Sequence, residues 1–565
     1  MQSTFLTGRY ALSSRYWRAV GTGTKVALTV VHARAGVEVQ PMATGQEDLL
    51  LIYDPANITF EHSSFVNIEA WYLEHLLEVI ATTNQSLATF EGFQCNGCNS
   101  SQALIRYVGG NFTMLDSQFV DLQSTAAYIA GSFAFVSNSS FQGQGGAVQM
   151  QSGIVVSVSS GVEVANCSFS NLVTTANGGA IYAEAASAAI IGSVFFNNSG
   201  FTGGAINILA STGNLANNTF DSNKATTGDG GAVLLEALAS NVNPLAPNFT
   251  VSSSTYVNNV AANSAAGIRA MEVYLLDIRN CSFHFNTANG ILQGPWQGSA
   301  IGVDNDHAAT NVFLRDSIVT DSLAGASVFL RNALCVGVIN TVFANSSQVG
   351  LVILGTIGDS CEDNFADSED ILFHSDTTTA VSSDQESIKD FFVGAQTTND
   401  IRFCTFFNHT LDQQPSIEHY AGGAPRGTAA ALLIAGGLIS HNILAGNLFT
   451  SNSGIQGSGI QLMSCSATVI WNSSFSSNTA SQQGGALSSV LSAANGVLLG
   501  ESVFVKNSAL RGGALHGDTN TQYILLGGNY LMGNTAKTFG GSLFCEACWN
   551  VEIGSGTVLQ NNTAG

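Results

Sequence analysis

Charged side chains are scarce in this chain: Asp, Glu, Lys and Arg make up 10% of 565 residues, and only five are lysines. So small a share argues against a salt-bridged helical bundle. A net charge of −22 excludes a nucleic-acid surface, which needs clustered Lys and Arg to meet phosphates. Proline is nearly missing at seven residues, while glycine reaches sixty without the triplet of collagen, so many tight turns feed regular strands. The longest apolar run, "AAALLIAGGLI" (429–439), is too short to cross a bilayer as a helix. With 45% hydrophobic residues the chain is too apolar for disorder, and its polarity comes from Asn, Ser, Thr and Gly.

The first 37 residues hold no acid but carry Arg9, Arg15, Arg18, Lys25 and Arg34. "VALTVVHARAG" (26–36) has a short apolar core and an Ala33-x-Ala35 end, so residues 1–48 read either as a secretory signal or as a disordered, non-repeat start. Ten cysteines and fourteen Asn-x-Ser/Thr sequons point to an oxidising compartment and a glycoprotein. Asn166, Asn217, Asn280 and Asn472 each fall just before a recurring aromatic, however, and that placement has the fold as an alternative cause.

What the chain has in abundance is one repeated sentence. "FFNNSGFTGGAI" (195–206), "FDSNKATTGDGGAV" (220–233), "FSSNTASQQGGAL" (475–487) and "FVKNSALRGGAL" (504–515) share Phe-x-x-Asn, a polar loop and Gly-Gly-Ala. Anchors of this kind run from Phe65 to Leu559, including Phe93, Ile318 and Tyr530, mostly 22 to 29 residues apart. The 63 residues from Phe343 to Phe406 are expected to hold two coils plus an insertion. Short alternating runs such as "GAINILA" (204–210) leave room for three strands per period. One unit cannot bury its own apolar face, but stacked units can, each strand bonding to its equivalent about 4.8 Å away. The fold expected over residues 49–565 is an all-β, right-handed parallel β-helix of roughly 16–18 coils of about 27 residues. An acidic insertion is expected around 359–400. "WYLEHLLEVI" (71–80) has helical spacing but lies inside one period, which favours a strand.

The repeat residues have structural roles in this frame. Phe195, Phe220, Phe475 and Phe504 stack coil on coil, and Asn198, Asn223, Asn478 and Asn507 form a ladder of amides. Gly203–Gly204, Gly230–Gly231, Gly484–Gly485 and Gly512–Gly513 supply positive φ, and the following Ala avoids crowding the next coil. Phe-x-x-Asn paired with Gly-Gly-Ala-Ile/Leu/Val resembles the repeat of the chlamydial polymorphic outer membrane proteins. The wider architecture resembles the pectate-lyase-like β-helix superfamily. The resemblance covers roughly 65–565, poorly over 344–448, and implies a surface-exposed or secreted adhesin-type module. The chain departs from that family in showing no C-terminal membrane barrel, and "LQNNTAG" (559–565) stops where the next Gly-Gly-Ala is expected, as in a fragment.

Few constellations carry chemistry. Cys95/Cys98 and Cys545/Cys548 lie some sixteen coils apart, roughly 75 Å, so they read as local disulfides or buried thiols rather than one zinc site. Asp304 and Asp306 of "VDNDHAA" (303–309) are weak metal candidates, and the acids at 359–390 lack calcium-loop spacing. Six residues after the first glycine of a pair come Glu184, Glu236, Asp518 and Glu546, all expected to face outward. Asp518 and Glu546 fall on adjacent coils beside His516 and Phe544, giving the candidate ligand patch: two carboxylates able to share calcium, a proton carrier and a sugar platform. No catalytic residue is assigned and no cofactor is required beyond that calcium option. The polygalacturonase pattern is missing, since there is no Asp-Asp pair and no Arg-x-Lys. The reading is a secreted or cell-surface adhesion or scaffold module whose partners are an extracellular glycan or a surface protein, without nucleic acid or a transmembrane helix. A polysaccharide lyase or glycoside hydrolase acting on acidic glycans is the alternative.

Overall fold

The computed structural model describes residues 74–565 except 82–85, 145–152, 160, 238–247, 290–297, 305–309, 324, 348, 356–398, 412–429, 436–440, 466, 491–495 and 519–520. Upstream it describes the backbone of 15–21, 24–33, 38–39, 48–53, 57–61, 64–66 and 69–70. The chain divides into two compact units, Met1–Met271 and Glu272–Gly565. Both are parallel β-solenoids, and no helix occurs among the described residues.

In the first unit eight anchor strands, from Ser64–Val66 to Thr255–Val257, pair in parallel with their neighbours among the described residues. In the second unit nine do so, from Ser282–His284 to Val558–Gln560. A single coil reads Ile460–Met463, Ala467–Trp471, then the anchor Ser474–Ser476. Each of these strands bonds to its equivalent one coil on. His75–Ile80 is a strand paired with Asp48–Tyr53 and Ala103–Val108, so periodicity across coils overrides the local helical spacing. Thr24–Ala33 forms an antiparallel hairpin with Arg15–Gly21 and also lies antiparallel to Asn57–Glu61 and Ser64–Val66.

The interior is built from the repeated sentence. Phe119, Phe141, Phe169, Phe195, Phe220 and Tyr256 stack at 4.8–5.0 Å with rings within 10° of parallel. In the second unit Phe343, Phe406, Phe449, Phe475 and Phe504 stack at 4.7–4.8 Å. The spacing is that of the strands themselves, so one side-chain type repeats at full contact with no void. Three positions on, Asn198 donates to Asn223 Oδ1 (3.0 Å) and Asn223 to Asn259 Oδ1 (3.1 Å). Asn452, Asn478, Asn507, Asn534 and Asn562 continue the pattern in the second unit at 2.9–3.0 Å. Each amide uses its other hydrogen on a carbonyl one coil back, as Asn507 does on Phe475 O (3.0 Å). A buried amide thereby meets all its partners, which is what permits so polar a column inside the protein.

Among the described residues the anchor strands are held between two left-handed turns, with Gly143 after Phe141 the exception. The residue three before the anchor has positive φ, as at Asn166 (52°), Asn217 (55°), Asn280 (51°) and Asn472 (45°). So does the residue two after it, as at Asn171 (55°), Asn197 (52°) and Ser477 (56°). Asn tolerates this region best among residues with a side chain. Both glycines of a pair are needed for close approach, and the first also for its conformation. Gly484 takes φ +60° and a Cβ on it would sit 2.2 Å from Leu487 O, while a Cβ on Gly485 would sit 2.3 Å from Gly513 O of the next coil.

Three anchors shift. Cys95, Val319 and Leu531 occupy the stacking column in place of Phe93, Ile318 and Tyr530. Ile318 and Tyr530 point outward and are 43% and 44% exposed, while Phe93 is buried beside the column. The step from Phe343 to Phe406 spans one rung, not two, because Val342–Ala344 pairs directly with Thr405–Phe407. The intervening acidic segment through residue 398 lies outside the described residues.

Candidate functional site

The strand Leu515–Gly517 follows Gly512–Gly513–Ala514 and pairs in register with Leu543–Cys545, which sets His516 beside Phe544. Their rings lie 5.9 Å apart at 28°. The Glu546 N–H donates to Gly517 O (2.9 Å), which places Glu546 on the coil next to Asp518. Arg511, one residue before the glycine pair, completes the group. Its Nη1 donates to Glu546 Oε2 at 3.0 Å, and its guanidinium stands 5.8 Å from the Phe544 ring centre. Nothing in the repeat pattern marked Arg511, because Gln483 and Phe539 fill the equivalent loop position on the flanking coils.

His516 is fully buried, although its neighbours Leu515 and Gly517 take the inward positions. The outward residue at the equivalent position of other coils bonds to the loop before it: Asn207 Nδ2 donates to Thr202 Oγ1 (3.0 Å) and Gln461 to Gln456 Oε1 (3.1 Å). His516 Nδ1 is 3.4 Å from Ser488 Oγ, and Nε2 has no hydrogen-bond partner. Burial pushes its pKa down to about 4, with Asp518 and Glu546 opposing and Arg511 adding to the fall. The imidazole is therefore neutral near pH 7 and walled from solvent. Glu546 remains half exposed and is paired with Arg511, so the patch presents a carboxylate–guanidinium pair over an aromatic ring. Disulfides Cys545–Cys548 and Cys95–Cys98 are both formed, while Cys167 and Cys281 are buried thiols that donate to the carbonyls of Ala165 and Arg279 (both 3.2 Å).

The remaining candidates are scattered. Asp304 pairs with Arg331 on the neighbouring strand, and Asp306 lies outside the described residues. Glu184 and Glu236 are separated by Leu209 in their column, and burial raises the Glu236 pKa. Asp400 and Arg402 form an ion pair that is almost wholly buried, and burial lifts the Asp400 pKa more than Arg402 lowers it. Among the described residues no group of three or more His, Cys, Asp and Glu side chains is placed to hold a metal ion.

A different feature was not visible from the motifs. On the outer face of the anchor strands, Ile318, Val342, Thr405 and Leu448 follow one another in register. Ile318, Val342 and Leu448 are 36–43% exposed, with Phe407 (43%) and Phe403 (50%) beside them on the Thr405 coil. In the same coils the amide ladder is interrupted: Ser322, Ser346 and His409 stand where Asn stands elsewhere. His409 is fully buried with no hydrogen bond to either ring nitrogen, and burial pushes its pKa down to about 4 against the opposing effect of the Phe343 backbone.

Residues 472–490 match the family model of the Chlamydia polymorphic membrane protein (Chlamydia_PMP) repeat. That span holds Phe475, Asn478, Gly484 and Gly485, the same side chains that stack, ladder and turn. The chain is a parallel β-helix that carries a Pmp-type repeat at residues 472–490. The Pmp repeat family is one of outer-membrane, cell-surface proteins. No curated protein and no solved structure shows significant similarity to this chain.

Proposed function

We propose that this chain is an extracellular or cell-surface scaffold that adheres to a glycan or a surface protein through the outer faces of its coils. The observation that carries the reading is the exposed apolar patch of Ile318, Val342, Phe403, Phe407 and Leu448. A rigid stack of hydrogen-bonded strands holds these side chains in solvent, where they cost solubility unless a partner covers them. The repeat chemistry itself faces inward and leaves the outer positions free to vary from coil to coil. A glycan-cleaving reading gains little support from the His516 patch, whose imidazole is buried and whose Glu546 is tied to Arg511.

The test is capture of immobilised glycans and of intact cell surfaces by the full chain and by Phe403→Ser/Phe407→Ser. Adhesion lost in the variant with its circular dichroism unchanged supports the reading. Equal capture by both proteins, or release of unsaturated or reducing sugar ends by the wild type, contradicts it.

A further inference from the structure

We infer that Asn138, Asn166, Asn217, Asn280 and Asn472 are N-glycan acceptor sites. All five begin an Asn-x-Ser/Thr sequence and occupy the left-handed turn three residues before an anchor, with φ between 45° and 55°. The geometry of that turn displays the whole acceptor sequence. The Asn side chain is exposed at each of the five, and the central residue turns inward: Ser139, Cys167, Asn218, Cys281 and Ser473 are all buried. The Ser or Thr two places on then returns to the outer face, immediately before the inward anchor, as at Ser168 and Thr219. Amide and hydroxyl therefore face solvent together, while the residue between them makes the structural bonds: Asn218 donates to Ile190 O (2.7 Å), and Cys167 Sγ donates to Ala165 O (3.2 Å) while its N–H donates to Ser193 Oγ of the next coil (3.1 Å).

The structure also supplies a counter-case. Asn99 begins the sequence Asn-Ser-Ser, yet Asn99 and Ser100 are 3% and 1% exposed, so a glycan on Asn99 has no room in the folded coil. Sequons in the turn after the anchor carry amides bonded along the column: Asn197 Nδ2 donates to Asn171 Oδ1 (2.8 Å) and Asn408 Nδ2 to Asn345 Oδ1 (3.0 Å). The disulfides Cys95–Cys98 and Cys545–Cys548 fit passage through an oxidising compartment, which the transfer also requires. The donor is a lipid-pyrophosphate-linked oligosaccharide. Its anomeric carbon bonds to Asn Nδ2 as the sugar–phosphate bond breaks, the lipid pyrophosphate leaves and the amide gives up one proton. The remaining amide hydrogen and the oxygen stay available to the turn.

The inference rests on passage through a secretory compartment and not on adhesion, so the capture assay above and the experiment here fail independently. The full chain is secreted from a eukaryotic host behind a heterologous signal. Glycans are then released by peptide N-glycosidase in heavy-oxygen water, and the peptides are read by mass spectrometry. Heavy-labelled Asp is expected at positions 138, 166, 217, 280 and 472 and not at 99. Ser168→Ala and Ser474→Ala remove the hydroxyl and leave the turn asparagine in place, so each should abolish the label at Asn166 or Asn472 without altering secretion. Secreted protein with all five positions unlabelled, or with Asn99 labelled as fully as they are, overturns the assignment.

Discussion

Replacing Asn478 with Ala tests the amide ladder at its most fully bonded rung. Asn478 Oδ1 accepts from Asn452 N (3.1 Å) and Asn452 Nδ2 (2.9 Å), while its Nδ2 donates to Phe449 O and Asn507 Oδ1, both at 3.0 Å. Alanine removes all four. Each is worth about 1 kcal/mol net, and the Asn452 N–H, buried and left without a partner, adds about 1–3 kcal/mol of lost solvation. The expected cost is about 5 kcal/mol, several times that of an exposed substitution on the same coil such as Thr479→Ala, at about 0.5 kcal/mol or less. A solenoid need not unfold as one unit, so the readout is amide hydrogen exchange, in which the coils of Asn452 and Asn507 should lose protection first. Equal protection in Asn478→Ala and Thr479→Ala would refute the ladder as a source of stability.

Two further outcomes follow from the same geometry. His409 is neutral in the fold, with a pKa of about 4 against 6.5 in the unfolded chain, so the unfolded state binds the extra proton between those values. Its contribution is therefore complete above pH 6.5 and lost as pH falls toward 4, up to about 3 kcal/mol. His409→Asn restores the ladder residue and should flatten that part of the urea-midpoint-versus-pH curve; an unchanged curve contradicts the assignment. Gly484→Ala sets a Cβ 2.2 Å from Leu487 O and adds the strain of φ +60°, about 1–2 kcal/mol, while Gly485→Ala sets one 2.3 Å from Gly513 O of the next coil. Both should lower the thermal unfolding midpoint, Gly484→Ala by at least as much; an unchanged midpoint in either variant would count against the close packing of the glycine pair.

The interior was legible because each inward position admits one kind of side chain: Phe at 4.8 Å stacking, Asn for a two-sided amide, Gly where backbones touch. The errors came where an outward neighbour imitates an anchor. Ile318 and Tyr530 are as large and apolar as Val319 and Leu531, and period alone does not say which of two adjacent residues turns in. The spacing from Phe343 to Phe406 misled because an insertion lengthens the chain without adding a rung. The His516 patch was placed on the correct strands, but its burial depends on a loop folding back over the column. The Arg511–Glu546 pair likewise joins loop to strand across coils, a contact that no motif spacing encodes. Outer-face residues such as Phe403 and Phe407 stand outside the repeat grammar altogether, which is why only the structure brings them together.

The central claim is that successive copies of the repeat stack in parallel, in register, one coil apart. Thr450 and Ser476 are register partners on adjacent anchor strands, with hydroxyl oxygens 2.9 Å apart, and Val505 is the partner of Ser476 on the following coil. Cysteines at 450 and 476 lie within disulfide reach, whereas cysteines at 450 and 505 are two strand spacings apart, about 10 Å, and are not. Under mild oxidation Thr450→Cys/Ser476→Cys should cross-link nearly completely within one chain and Thr450→Cys/Val505→Cys should not. Equal cross-linking of the two pairs, or none in the first, contradicts the stacked β-helix.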